Sequence, residues 1–267
     1  MKTALRNENL LADFRRFTAG LLLLVSIGWA ASAAAQDETP QAVQRIGVVS
    51  ILGDLLYDDR VGLTVFGNKL QRQDVSEWGL DDAWEDQIEA ALPGVIAAEI
   101  VPLTIDRAAL RVAYPTAEDE DGWIAQYRAP KFKRITEALQ TIARDNRLDS
   151  IILLASDATD LAGTNQYLES FGVYRSGKKG PAWFYIVSQI HLIDGATGEP
   201  STSKRLQTAQ REKDQFGRWP SERVPDELLD RRFGEYTGEE KAALGERFKA
   251  MPAAAFTPTL TKLLTPK

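Results

Sequence analysis

The chain has 267 residues, no cysteine, one histidine and a net charge of −6. Without cysteine there are no disulfide staples, thiolate metal sites or cysteine nucleophiles, and no residue on which a bacterial lipoprotein could be acylated. The first thirty-five residues carry four basic and two acidic groups, so the remainder holds −8, a balance opposed to the basic face of a nucleic-acid binder or a polybasic membrane-surface protein.

The opening segment reads as a secretory signal peptide. Lys2, Arg6, Arg15 and Arg16 form a positive start diluted by Glu8 and Asp13, an apolar run extends from Ala19 to Ala31, and Ala33-Ala34-Ala35 fits an A-x-A cleavage site before Gln36. The run is shorter than the roughly 20 apolar residues that span a bilayer, so cleavage near Ala35 is expected, with no stable membrane anchor afterwards and a periplasmic or secreted destination. Phe17-Thr18 after Arg15-Arg16 lacks the hydrophobic follow-on of a twin-arginine signal.

Residues 36–44 are a polar leader, and 45–267 form one α/β domain of a size that supports a hydrophobic core. Arg45 to Leu52 (RIGVVSIL) has the apolar, β-branched pattern of a buried strand, and Leu63 to Phe66 reads as a second. Asp81 to Leu92 is a helix, with acids in its first turn and Trp84, Ile88 and Leu92 at intervals of four; Pro93-Gly94 stops it. Val95 to Leu103 returns as a strand, Asp106 to Val112 forms a short helix, and Thr116 to Gly122 is an acidic loop. Pro130 to Asn146 is the clearest helix, with Phe132, Ile135, Leu139 and Ile142 on one face, and Ser150 to Ala155 (SIILLA) is a buried strand. Trp183 to Asp194 is a long strand, Asp194 to Gly198 a turn, and Glu199 to Ala209 the returning strand of an antiparallel hairpin. Residues 211–236 are an irregular, charged excursion, and Glu239 to Met251 and Phe256 to Leu264 close the chain as helix. The expected fold is therefore α/β: a mixed sheet flanked by helices, with an antiparallel hairpin in the C-terminal half and a final helix.

Most catalytic constellations are incomplete. Gly53-Asp54 followed by Gly67-Asn68 echoes the blocks of binuclear metallophosphoesterases, but Lys69 stands where that site needs histidine and the chain has one histidine in all. Gly53-Asp54-Leu55 echoes the serine block of SGNH esterases with Leu55 at the nucleophile. His191 lies within the long strand between Ile190 and Leu192, a structural setting. No metal site or cofactor is expected. A carboxylate hydrolase stays open as the alternative, with Asp54, Asp157 and Asp160 at strand C-terminal ends, where open α/β sheets place ligand crevices.

Asp157 to Gly180 is a long polar connection after the SIILLA strand. It ends in a basic patch, Arg175, Lys178 and Lys179, unusual in an acidic protein. With Tyr174 and Asn165 this patch reads as a binding surface for an acidic partner or glycan-associated polymer; the plainer reading is a hairpin tip with solvated lysines.

The stretch Ile190 to Glu199 (IHLIDGATGE), with the SIILLA strand and the helix from Pro130 before it, resembles a group of bacterial envelope domains. The group includes the amino-terminal domain of TolB, the curli-secretion channel subunit, flagellar outer-membrane accessory proteins and lipoprotein activators of penicillin-binding proteins. The likeness covers residues 45–210 in pattern. Several members are lipoproteins and this chain lacks their cysteine, and the 211–236 segment has no counterpart. The resemblance implies a non-catalytic module that binds or helps assemble an envelope component, with an envelope protein or cell-wall-associated partner.

Overall fold

Two adjacent parallel strands have both faces buried. β1 (Gln44–Ser50) pairs with β5 (Ser150–Ser156) from Ile46 opposite Ser150 to Ser50 opposite Leu154. The computed structural model describes residues 44–61, 69–114, 135–160, 167–177, 180–208, 219–229 and 231–265. Along both strands alternate residues enter different cores: Ile46, Val48, Ile152 and Leu154 join one, Val49, Ile151, Leu153 and Ala155 the other. A strand covered on both sides must be apolar throughout, which is why these two read so clearly.

The first face is covered by α1 (Leu80–Ala91), α4 (Gly238–Ala250) and α5 (Ala253–Leu264); the second by α2 (Arg107–Ala113) and α3 (Thr136–Asn146). Trp84 and Ile88 of α1 are fully buried, each such side chain contributing about 1.5–3 kcal/mol, and the Trp84 indole N–H donates to the Phe248 carbonyl at 3.1 Å. Asp106 caps α2 by accepting from Ala109 N, and Thr237 with Glu240 forms a capping box on α4. β4 (Ala98–Ile100), all that becomes strand of 95–103, pairs parallel with β1.

The hub is β8 (Ala182–Asp194), thirteen residues long. Its C-terminal half pairs antiparallel with β5 and, on the other edge, with β9 (Pro200–Arg205); its N-terminal half pairs with β7 (Tyr167–Ser176) and β10 (Ser221–Arg223). The backbone groups of Val187 and Pro181 bond to the edge carrying β5 and β7, those of Ala182, Ile186 and Ser188 to the edge carrying β10 and β9. β5 and β7 therefore lie end to end along one edge of β8. Beside them β1 and β2 (Leu55–Val61) also lie end to end, because β2 pairs parallel with β7, and β3 (Lys69–Asp74) completes this wing. The sheet is thus one mixed layer crossed by a fault, at residues 51–54 in one row and between the end of β5 and the start of β7 in the next.

The β8–β9 turn matches its sequence chemistry. Asp194 Oδ1 accepts from Ala196 N, Thr197 N and Thr197 Oγ1 at 2.9–3.0 Å. Gly198 has φ +73°, and a Cβ there would stand 2.3 Å from the Thr136 carbonyl oxygen.

Several expectations shift. The strand after β1 is 55–61, whereas 63–66 lies outside the described residues, as does 116–122. The connection 157–180 contains the short β6 (Ala158–Asp160) and the ten residues of β7. The described part of 211–236 holds β10 and two single 3-10 turns, Asp226–Leu228 and Phe233–Glu235.

Candidate functional site: a crevice at the fault of the sheet

The fault is built by one aspartate. After Ser50 the chain leaves β1, and the backbone N–H groups of Leu52 and Gly53, with no ladder partner, both donate to Asp81 Oδ1 at 3.0 Å. The Ser50 hydroxyl donates to the same oxygen at 2.5 Å. Asp81 sits in the first turn of α1 and is buried, so its carboxylate caps the end of a strand. Its other oxygen accepts from Arg111 of α2, whose guanidinium also pairs with Asp54 and donates through Nε to the Ile51 carbonyl. Gly53 is required by the close approach of α1, since a Cβ would meet Leu80 Cβ at 2.9 Å.

Above this network lies an open crevice of about 370 Å³. Ile51, Leu52, Leu55, Tyr57 and Val112 give it apolar walls; Asp54, Arg111, Tyr114, Ser156 and Ser170 supply the polar groups. Leu55 is 43% and Val112 84% exposed, and with Leu70 they are the exposed large apolar side chains among the described residues. Ser170, where β7 takes over from β5, has φ +59°, a left-handed backbone unusual for serine. Its N–H donates to the Asp157 carbonyl at 3.2 Å, and the Tyr114 hydroxyl donates to the Ser156 carbonyl at 3.1 Å.

Two carboxylates, Asp54 and Asp81, share one guanidinium, leaving the crevice floor with an excess negative charge. Burial raises the Asp54 carboxyl above its usual range, Arg111 opposes this and Asp81 adds to it. Burial also lifts the Tyr114 hydroxyl, reinforced by the charges of Asp157 and Glu169.

The residues singled out from sequence fall in different places. Asp54 lines the crevice. Asp157 does not: it is buried beside it, its Oδ1 accepting from Ala158 N at 2.9 Å and its Oδ2 lying 2.8 Å from Arg205 Nε. Asp160 ends β6 opposite Tyr167. Arg175, expected to face solvent, is instead interior: 2% exposed, it donates to the carbonyls of Leu228 and Leu229 at 3.1 and 2.7 Å and to the Tyr236 hydroxyl at 2.9 Å. The reason is Asp58 on the neighbouring strand, whose buried carboxylate it neutralises. Tyr174 is buried against Trp183, ring centroids 6.2 Å apart. Lys178, Lys179, Asn165 and the pair Gly67-Asn68 lie outside the described residues. His191 is buried in β8, its Nδ1 2.7 Å from Ser203 Oγ on β9.

Asp81 and Arg111 were not distinguishable in sequence, one resembling an ordinary acid in a helix's first turn and the other a solvated arginine on a short helix. No protein-family model matches the chain, and no curated protein does. Among the described residues no helix is long and apolar enough to cross a membrane, and no group of three or more His, Cys, Asp or Glu could hold a metal ion.

Proposed function

We propose that the chain is exported, loses its leader near Ala35, and acts in the periplasm or beyond as a non-enzymatic module that binds or helps assemble an envelope component. The crevice is its binding site. The observation that carries this reading is the contrast between the charges and the apolar groups there. Asp54 and Asp81 are engaged by Arg111 and Asp157 by Arg205, so each of these acids already has a cationic partner, while Leu55 and Val112 stand open beside the cavity. Open apolar side chains on the rim of a concave site at strand C-terminal ends are what a partner covers.

The test is a photo-crosslinking residue at Val112 in intact cells, compared with one at the exposed Gln140 on α3. A discrete envelope adduct from position 112, absent from position 140, is the expected result. A protein found in the cytoplasm, with equal or no adducts at the two positions, would overturn the proposal.

A second reading is favoured by one observation, the raised carboxyl of Asp54 facing the crevice. An upward shift is the direction a carboxylate hydrolase needs in its general acid. Turnover of chromogenic glycosides or esters that disappears in Asp54→Asn would establish it; inactivity of the wild-type protein against them removes it.

A further inference from the structure

We infer that the crevice recognises a basic side chain flanked by an aliphatic one, a lysine or arginine beside a leucine-like residue in a partner polypeptide. This rests on the crevice being the binding site, as proposed above, and adds what it selects.

The argument starts from charge. Asp81 is 5% exposed and already accepts from Ser50, Leu52 and Gly53, so it is the inner partner of Arg111. Asp54 is the outer one, with 37% of its side chain exposed and facing the cavity. One guanidinium serves two carboxylates, and among the described residues no other basic side chain lines the crevice. A second cation entering beside Asp54 completes the pairing, whereas an anion meets two carboxylates behind one arginine.

The walls set the other half. Ile51, Leu52, Leu55 and Val112 present aliphatic surface around Asp54, which suits the methylene stem of a lysine or arginine together with an adjacent aliphatic side chain. The hydroxyl-bearing Ser156 and Ser170 lie on the same lining and can meet the backbone or head group of such a segment. A cavity of about 370 Å³ lies near the bottom of the range that encloses small molecules, and it is open, which matches side chains inserted from a larger partner.

The experiment measures binding of three fluorescent peptides to the purified protein by polarisation at low salt. The peptides are identical, with leucine beside a central position holding lysine, norleucine or glutamate. The lysine peptide is expected to bind about tenfold tighter than the norleucine peptide, and the glutamate peptide most weakly, with the preference shrinking as salt rises. Val112 is exposed enough to take either charge without cost to the fold, so V112E should raise the lysine-to-norleucine ratio several-fold and V112K should lower it by a similar factor. Asp54→Asn should bring the ratio near one. Equal binding of lysine and glutamate peptides, or a ratio indifferent to V112E and V112K, overturns the inference. If that happens while the crosslinker at 112 still captures its partner, the binding reading stands and only the selectivity falls; loss of both overturns both.

Discussion

Arg175 Nε lies 3.5 Å from Asp58 Oδ1 across adjacent strands, with the two side chains 3% and 7% exposed. The same guanidinium gathers the carbonyls of Leu228 and Leu229 and the Tyr236 hydroxyl, so it ties the 226–236 segment to β2 and β7. Asp58 adds to the tie by accepting from Phe233 N at 3.3 Å.

Removing the arginine alone strands a buried carboxylate and two carbonyls. Arg175→Met is therefore expected to cost about 3–5 kcal/mol in urea unfolding. Arg175→Lys should also lose stability, because one ammonium cannot reproduce a fork that reaches four groups. The double variant Asp58→Leu/Arg175→Met should recover part of the loss; strict additivity of the two single effects would rule out the coupling.

Asp59, next along β2, gives the pH prediction. Its Oδ2 accepts from the fully buried Tyr185 hydroxyl at 2.7 Å, and burial pushes its carboxyl up to about 7, with Asp58 and Glu169 adding to the shift and Tyr185 and Arg72 opposing it. In the unfolded chain the group titrates near 3.9. Between these values the folded state holds the proton and the unfolded state does not, so stability falls as pH rises from about 4 to about 7, by at most about 1.4 kcal/mol per pH unit. Asp59→Asn keeps the acceptor for Tyr185 and removes the titration. Unfolding free energies from pH 4 to 8 should show the wild type losing ground to the variant across this window, and parallel curves would contradict the assignment.

These two aspartates explain what the sequence conceals. β1, β5, β8, the helices and the Asp194–Gly198 turn carry local signals: unbroken apolar runs, residues repeating every three or four positions, turn chemistry. β2 reads LLYDDRV and β7 YLESFGVYRS, which look like loops because their acids and arginine seem to need water. They are strands because Asp58 finds Arg175 and Asp59 finds Tyr185, the latter 126 residues away. No window along the chain contains both members of such a pair. The crevice was half visible for the same reason. A ligand site at the C-terminal ends of β1 and β5 follows from the strand pattern, and Asp54 was found that way, but Asp81 and Arg111 acquire their roles only when two helices dock on opposite faces of the sheet.

Gly198 tests the turn. Its positive φ and the nearby Thr136 carbonyl act together, so Gly198→Ala should cost about 2–3 kcal/mol, whereas a glycine-to-alanine change in open space at an ordinary φ is neutral or stabilises by up to ~1 kcal/mol. Gly234 is the control, since a Cβ there meets nothing within 4 Å. Equal melting temperatures for the two variants would show that the turn does not depend on this contact.

Asp81 tests the fault itself. In Asp81→Ala the amides of Leu52 and Gly53 and the Ser50 hydroxyl lose their acceptor and Arg111 keeps Asp54 and the Ile51 carbonyl, and each buried donor left unmade costs about 1–3 kcal/mol. Asp81→Asn keeps an acceptor oxygen for the three donors while removing the charge, so it should retain most of the backbone geometry and weaken mainly the link to Arg111. Hydrogen exchange separates these effects by residue. Protection at Leu52 and Gly53 should fall sharply in Asp81→Ala and only slightly in Asp81→Asn, with β8 amides such as Ile190 unchanged in both if the rest of the sheet holds. Unaltered protection at Leu52 and Gly53 in Asp81→Ala would mean that the strand ends there without its carboxylate cap, and the crevice would then owe its shape to the docking of α2 alone.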